Sequence, residues 1–148
     1  MEIIDKISDI AKSYFKGAGS SHRWDHTLRV YRLARHLSVL EGADCQIVCL
    51  AAMLHDIGRT EEDASQGKIC HAEKGAAMAR QILKDEGVEN PVVERVVECI
   101  ATHRFRDNKS PQTLEAKVLF DADKLDSIGA VGIGRAFLFA GEVGAKLH

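Results

Sequence analysis

Apolar residues recur at helical spacing along almost the whole chain. In the first segment, "MEIIDKISDIAKSYF", most of them fall on one side of a helix and alternate with charged residues. The segment "PVVERVVECIATH" is rich in β-branched residues, yet its apolar positions also follow the three- and four-residue steps of a helix. The pattern predicts an all-α fold, with helices over residues 2–15, 24–41, 44–56, 72–86, 91–104, 112–127 and 130–146.

Polar segments separate these helices and are predicted to be loops, at residues 16–23, 57–70 and 104–110. Two helices should begin at Asn90-Pro91 and Ser110-Pro111, because each pair offers an N-cap residue followed by proline in the first turn. Gly58 should let the chain leave the helix before it. Each loop lies beside a histidine, and loops held by a rigid scaffold are where binding groups tend to lie.

Length and composition point to one soluble globular domain over residues 1–148. The 20 basic and 22 acidic residues give a net charge of −2, which argues against a nucleic-acid polymer as partner. No apolar run is long enough for a membrane span and the N-terminus lacks a signal peptide, so we expect a cytoplasmic protein without a membrane partner. The cysteines form no CxxC pair and are predicted to be buried thiols: Cys45, Cys49, Cys70 and Cys99.

Two segments place polar groups where the pattern is otherwise apolar. In "CLAAMLHDIGR" an apolar run leads directly into His55 and Asp56, and burying such a pair is costly unless something satisfies it. In "LFDADKLDSIGA" three acids lie within six residues among apolar neighbours, so a cation or Lys124 is their natural compensation. The three acids are Asp121, Asp123 and Asp126. Histidines and aspartates together suit Mn, Fe, Ni, Zn or Mg.

Three of these segments together resemble the signature of the HD-domain superfamily of metal-dependent phosphohydrolases, in particular its small bacterial hydrolases. That signature is a histidine, then a His-Asp doublet, then a distant aspartate, and "HRWDHTLRV", "AAMLHDIGR" and "DADKLDSIGA" match it in order and approximate spacing. The doublet alone is a weak signal, whereas the three parts together are specific. The resemblance covers about residues 20 to 140 and implies a compact multi-helix bundle with a metal site between central helices.

The resemblance also implies a set of ligands for a divalent transition metal, which could be Mn, Fe, Ni, Co or Zn. Those ligands are His26, His55, Asp56 and Asp123, with Asp121 as the alternative to the last. His71 and His103 stand where the family places a second metal, here a weaker Mg site, or a phosphate contact. Family members with firmly binuclear sites often have a His-His pair where Arg104 follows His103, so we expect one tightly bound metal rather than two.

The function implied is hydrolysis of a phosphorylated small molecule, a nucleotide or nucleoside polyphosphate, by a metal-activated water. Asp56 would both bind the metal and accept a hydrogen bond from the attacking water. Lys124 and Arg23 would bind the substrate phosphate, with Arg59 and Arg104 as weaker candidates. Asp126 is expected to orient a metal-bound imidazole rather than to bind the metal.

Several alternatives stay open at the level of sequence. The chain could be a catalytically inactive HD-fold module that binds a nucleotide or regulates a partner, or its metal could be purely structural, with a closed coordination shell. The exact substrate and the metal are not specified, and a homodimer is compatible with the pattern. Small bacterial relatives usually continue with more helix beyond "GRAFLFAGEVG", so we keep open that a C-terminal helical extension is lacking.

Overall fold

The computed structural model describes residues 2–15, 24–104 and 110–145, and all regular secondary structure in these ranges is helical. The predicted all-α fold is confirmed. The loop predicted at 16–23 lies outside the described residues, as does most of the loop predicted at 104–110. The helices within the described ranges are α1 (Glu2–Ser13), α2 (Trp24–Glu41), α3 (Cys45–Leu54), α4 (Arg59–Ala64), α5 (His71–Asp85), α6 (Asn90–Thr102), α7 (Leu114–Leu125) and α8 (Gly129–Glu142).

The short helix α4 lies inside the segment that the pattern predicts to be a loop, so that prediction is wrong for residues 59–64. Its sequence, "RTEEDA", is too short and too polar for a hydrophobic period to be visible. Two acids in its first turn interact favourably with the helix dipole. One of them, Glu62, is buried against His71 and Arg104, so polar contacts hold this helix in place.

The two predicted helix starts are displaced. Helix α6 begins at Asn90, with Glu89 in the N-cap position and Pro91 in the first turn, so the proline is placed as expected but the cap is one residue earlier. Helix α7 begins only at Leu114, because the Thr113 side chain accepts a hydrogen bond from the Ala116 amide and caps the helix there. The start predicted at Ser110-Pro111 is therefore wrong.

Helix α3 is the central element of the fold. It contacts α1, α2, α5, α6 and α7, and residues 47–54 are all buried. A helix that is apolar on every side is stable only when other elements surround it. The chain continues from α3 directly into His55 and Asp56, which are only 0% and 3% exposed. The apolar helix therefore carries these two polar side chains into the interior.

Gly58 lies where the chain crosses the beginning of α5. A Cβ atom at this position would lie 2.5 Å from the His71 carbonyl oxygen and 2.7 Å from the Gly75 amide nitrogen. The backbone of Gly58 has a negative φ, so close approach, rather than a left-handed conformation at the end of a helix, is what requires glycine. The contact brings His71 next to the end of α3.

The four cysteines divide into two classes. Cys49 and Cys99 are buried, and burial raises the pKa of each thiol to about 12. Cys45 and Cys70 are only partly buried, so the prediction of four buried thiols is wrong for these two. The Sγ atoms of Cys45 and Cys49 lie 3.7 Å apart on one side of α3.

Helix α8 differs from the others because most of its apolar side chains face solvent. Val131, Ile133 and Phe137 are 49–60% exposed, and Gly132 is the buried residue of the helix. No helix within the described ranges is both long enough and apolar enough to cross a membrane.

Candidate metal centre

Four histidine rings meet beside the C-terminal end of α3. His26 comes from α2, His55 follows α3, His71 begins α5 and His103 follows α6. All four are at most 3% exposed. The Nε2 atoms of His26 and His55 are 3.4 Å apart, and those of His71 and His103 are 3.3 Å apart. The ring centroids of His55 and His103 are 5.3 Å apart, so the two pairs are neighbours.

Two of these histidines donate Nδ1–H to a backbone carbonyl one turn earlier. His55 Nδ1 lies 2.7 Å from the Ala52 oxygen, and His103 Nδ1 lies 2.6 Å from the Ile100 oxygen. A carbonyl oxygen can only accept, so the hydrogen of each neutral ring must be on Nδ1. The lone pair of each ring is therefore on Nε2, the atom that points into the cluster.

The other two histidines donate Nδ1–H to a buried carboxylate. His26 Nδ1 lies 2.7 Å from Asp126 Oδ2, and His71 Nδ1 lies 2.6 Å from Glu62 Oε2. Such carboxylate partners fix the tautomer and the orientation of a metal-bound imidazole. Asp126 stands where the sequence analysis expected an orienting residue. Glu62 was missed, because "RTEED" has the composition of a solvated polar loop.

The ionisation of these groups follows from burial and from their partners. Burial lowers the pKa of His55 and of His71 to about 4, so both rings are neutral at pH 7. Burial alone would raise the pKa of Glu62, but hydrogen bonds from Arg104 and His71 outweigh it and lower the value to about 2. Asp126 is likewise kept ionised, because Arg29 and His26 outweigh the effect of burial on its pKa.

Two further carboxylates face the Nε2 atoms. Asp123 Oδ1 lies 3.3 Å from His26 Nε2 and 4.0 Å from His55 Nε2. We call His26, His55 and Asp123 the first group, whose ligand atoms all lie within 4.8 Å of one another. Burial raises the pKa of Asp123, but its close contacts with His26, with His55 and with the Lys124 ammonium outweigh burial and lower the pKa well below its usual range.

Asp56 connects this group to a second one. Its Oδ2 lies 3.7 Å from His26 Nε2 and 3.8 Å from His55 Nε2, whereas its Oδ1 lies 3.3 Å from His71 Nε2 and 3.8 Å from His103 Nε2. We call Asp56, His71 and His103 the second group; their ligand atoms also lie within 4.8 Å of one another. The pKa of Asp56 is well below its usual range, because the nearby histidines and Arg59 outweigh its burial.

The chemistry of these donors fits divalent metal ions. Imidazole nitrogens and ionised carboxylate oxygens converge in a buried space, and the carboxylates repel one another unless a cation lies among them. Imidazole nitrogen combined with carboxylate oxygen suits Mn, Fe, Co, Ni and Zn. HD domains bind divalent metals, and the histidines and aspartates described here could hold one.

Two basic residues are expected to bind the substrate phosphate, and the structure describes only one of them, Lys124. Lys124 Nζ donates to Asp123 Oδ2 at 2.6 Å and to the His103 carbonyl oxygen at 3.2 Å, and its side chain is 45% exposed. It therefore lies at the rim, next to the first group. Arg23, the other residue proposed for phosphate, and His22 beside it lie outside the described residues.

Arg59 and Arg104 form ion pairs with Glu62 and are not simply solvated side chains. Arg59 Nη1 lies 2.7 Å from Glu62 Oε2, and Arg104 Nη1 lies 2.5 Å from Glu62 Oε1. Arg59 Nη2 also lies 3.6 Å from Asp56 Oδ1. Both arginines thus support the second group by holding the carboxylate that orients His71.

Asp121, the alternative to Asp123, is exposed and lies apart from both groups. It lines a groove of about 510 Å³ between α2 and α7, together with Leu37, Lys117 and Leu125. Asp121 and Asp123 are two positions apart on α7 and so point about 200° apart around the helix. The structure therefore brings Asp123, and not Asp121, to the histidines.

The fold and this cluster define a helical domain with buried histidines and aspartates that could hold a divalent metal, and comparison with known proteins identifies the family. The model of the HD domain matches residues 23–128, and the chain belongs to this family. The protein YpgQ of Bacillus subtilis is 35% identical over 97% of this chain and 69% of its own length. Ribonuclease Y of Chloroflexus aurantiacus is 30% identical over 82% of this chain but only 21% of its own length.

Solved structures show the same fold. The crystal structure of a predicted HD superfamily hydrolase from an uncultured Thermotogales bacterium has a TM-score of 0.80 and 37% identity, and the match covers 91% of this chain and 74% of that one. Bacillus subtilis YpgQ in complex with ADP has a TM-score of 0.76 and 34% identity, covering 98% of this chain and 71% of that one. The chain therefore spans about two thirds to three quarters of these solved relatives.

Proposed function

We propose that this chain is a metal-dependent phosphohydrolase that acts on a phosphorylated small molecule, either a nucleotide or a nucleoside polyphosphate. The observation that carries the proposal is the convergence of four imidazole Nε2 atoms and two ionised carboxylates, with Asp56 shared between two groups. Membership in a family of hydrolases supports the reaction class. The complex of its relative YpgQ with ADP supports a nucleotide as substrate.

We propose that the first group, completed by Asp56 Oδ2, holds the tighter ion. It offers four protein donors, two of them carboxylates. The second group offers His71, His103 and the other oxygen of Asp56, so a second ion there would be held by fewer donors and more weakly. Mg prefers an all-oxygen shell with several waters, so it would bind less well than Mn, Fe, Co, Ni or Zn.

The role of each residue in the reaction follows from its position. A bound divalent ion supplies Lewis-acid activation of a phosphate oxygen and lowers the pKa of a bound water, so that the water can attack near neutral pH. Asp56, which is ionised, would accept a hydrogen bond from the attacking water and orient that water toward phosphorus. Lys124 lies at the rim beside Asp123 and neutralises charge on the substrate phosphate. Arg23 remains a second candidate for that role.

Metal analysis combined with a substrate screen tests the proposal. The purified protein should contain a transition metal and should release phosphate or pyrophosphate from nucleotides when Mn, Co, Ni or Mg is supplied. His55→Ala and Asp56→Ala should each lose both bound metal and activity. His36→Ala is the matched control, because His36 is exposed on α2 and belongs to neither group.

Three results would contradict the proposal in different ways. Full hydrolysis by the protein carrying both His55→Ala and Asp56→Ala would show that the site is elsewhere. Metal-loaded protein that binds ADP without turning over any substrate would show an inactive binding or regulatory module. A metal whose coordination shell has no exchangeable water would show a structural role.

A further inference from the structure

The carboxylate that orients His26 is also held by two arginines, one from α2 and one from α8. Asp126 Oδ2 accepts from His26 Nδ1 at 2.7 Å and from Arg135 Nη1 at 2.7 Å. Arg29 spans both oxygens, with Nε 2.6 Å from Oδ1 and Nη2 3.1 Å from Oδ2. The Asp126 side chain is only 3% exposed. A carboxylate held on both oxygens in this way cannot rotate freely, and the ring that donates to it is fixed as well.

Arg135 belongs to α8, the helix whose apolar side chains are largely exposed. Its own side chain is only 18% exposed, because it points back toward the end of α7. Gly132, one turn earlier, packs against the backbone of Ser127, and a Cβ at this position would clash with that backbone. The start of α8 is thus seated on the end of α7, and Arg135 reaches from it to Asp126.

We propose that Arg135 is a positioning residue of the metal centre, which fixes His26 through Asp126 and so makes the first group depend on the docking of α8. This inference rests on the proposed function, since a fixed Nε2 lone pair on His26 matters only if a metal binds there. Arg29 holds the same carboxylate from α2, so loss of Arg135 should weaken the first group without abolishing it.

The second group provides an internal comparison. Its orienting carboxylate, Glu62, is held by Arg59 and Arg104, and neither residue belongs to α8. A change at Arg135 should therefore act on the tighter metal site and leave the weaker one unchanged. A general loss of stability would affect both sites together.

A titration of metal-free protein with Co²⁺, followed by visible absorption, tests this inference. We expect Arg135→Ala to raise the Kd of the tighter Co²⁺ site by about three- to tenfold and to change its absorption spectrum. This is less than the roughly 10- to 100-fold effect typical of a direct partner of a metal-bound histidine, because Arg29 still holds Asp126. Arg135→Lys should restore part of the affinity, because it keeps a charged donor. Arg32→Ala is the matched control, since Arg32 is an exposed arginine one turn from Arg29.

A double-mutant cycle tests whether Arg135 affects Co²⁺ binding through Asp126. In an Asp126→Asn background, Arg135→Ala should cause no further loss of Co²⁺ affinity, because Arg135 acts on the metal site through the charged Asp126 carboxylate. Circular dichroism should show unchanged helix content, and Arg135→Gln replaces Arg135→Ala in every comparison if the alanine variant does not fold.

Each outcome bears on a separate claim. Wild-type protein that binds no Co²⁺ would overturn the proposed function and this inference with it. Binding by the wild type with the same Kd and spectrum in Arg135→Ala would overturn only the role of Arg135. An equal loss in both Asp126 backgrounds would overturn the route through Asp126.

Discussion

The two groups of metal-ligand atoms orient their histidines in the same way but differ in the source of their carboxylate. In each, one histidine is oriented by a backbone carbonyl one turn earlier and the other by a carboxylate. The first group has a carboxylate of its own in Asp123, whose side chain is 17% exposed. The second group is entirely buried and takes its carboxylate from Asp56, which both groups share.

This difference predicts how the two groups depend on each other. The first group keeps three donors even without the second, and the partly exposed Asp123 and Lys124 place it nearer the surface. The second group has only two donors of its own, so it cannot hold an ion well unless Asp56 is present and ionised. Substitution of Asp56 should therefore have the largest effect on the cluster. Substitution of each remaining ligand should affect mainly the group to which that ligand belongs.

The largest effect is expected for Asp56→Asn, which keeps the shape of the side chain but removes the charge that both groups need. Activity should fall by about 10³-fold or more, as for other essential groups, and bound metal should fall at both sites. Steady-state kinetics and metal content per chain measure the two effects. Asp121→Asn, an exposed acid on α7, should change neither. A variant at Asp56 that still held two tightly bound ions would remove the basis for calling Asp56 shared.

Smaller and unequal effects are expected when each group is changed separately. Asp123→Asn should weaken the tighter site and lower activity by about 10²-fold, because it removes the carboxylate that only the first group offers to the ion. His71→Gln should remove the weaker ion while the tighter one stays bound. Metal content at limiting and at saturating Mn²⁺ distinguishes the two variants. Identical behaviour of both would mean that the two groups form one indivisible site.

The same comparison shows what sequence could predict. The fold class was predictable because helical spacing of apolar residues persists through most of the chain. His26, His55, Asp56 and Asp123 were selected because together they resemble a family signature. Asp123 was separated from Asp121 only by that resemblance. The structure adds the geometric reason, since only Asp123 points toward the histidines.

Residues that support the ligands were harder to find. Glu62 lies in a six-residue polar helix whose position depends on tertiary contacts, so no local pattern marks it. Arg135 lies in a glycine-rich apolar helix, more than a hundred residues from His26 in the chain. The close contact at Gly58 is between two backbones and has no signature in side-chain chemistry. Long-range polar contacts of this kind become visible only when the helices are packed.

A change at Glu62 should affect the second group alone. Glu62→Gln keeps the size of the side chain but removes the charge that orients His71 and pairs with Arg104. We expect the affinity of the weaker metal site to fall by about tenfold, while the tighter site stays within twofold of wild type. Co²⁺ titration measures both sites. Asp63→Asn, the exposed neighbour in α4, is the control. Equal weakening of both sites would show that Glu62 stabilises the fold rather than one group.

The two groups should respond alike to pH, because each contains a buried neutral histidine. His55 and His71 have pKa values lowered to about 4 by burial, whereas in the unfolded chain they titrate near 6.5. Between these values the unfolded chain binds more protons than the folded chain. The stabilisation that these two neutral histidines provide in metal-free protein is therefore fully present above pH 6.5 and is lost as the pH falls toward 4. Between pH 7 and pH 5 the loss should be on the order of 2 kcal/mol for each histidine. Urea unfolding at pH 7 and pH 5 measures it, and unchanged midpoints would contradict it.

The smallest effect concerns the contact that joins the two groups. Gly58→Ala would place a Cβ atom against the His71 carbonyl and the Gly75 amide, so α5 must shift away from the end of α3. We expect a loss of about 1–3 kcal/mol in unfolding free energy, together with a weaker second metal site, because His71 moves with α5. Gly134→Ala in α8 is the matched control. Among the described residues, no atom outside the neighbouring turns of α8 lies within 4 Å of the added methyl group, and alanine favours a helix by about 1 kcal/mol. A variant at Gly58 that was less stable but held both ions normally would show that the contact supports the fold without setting the geometry of the second group.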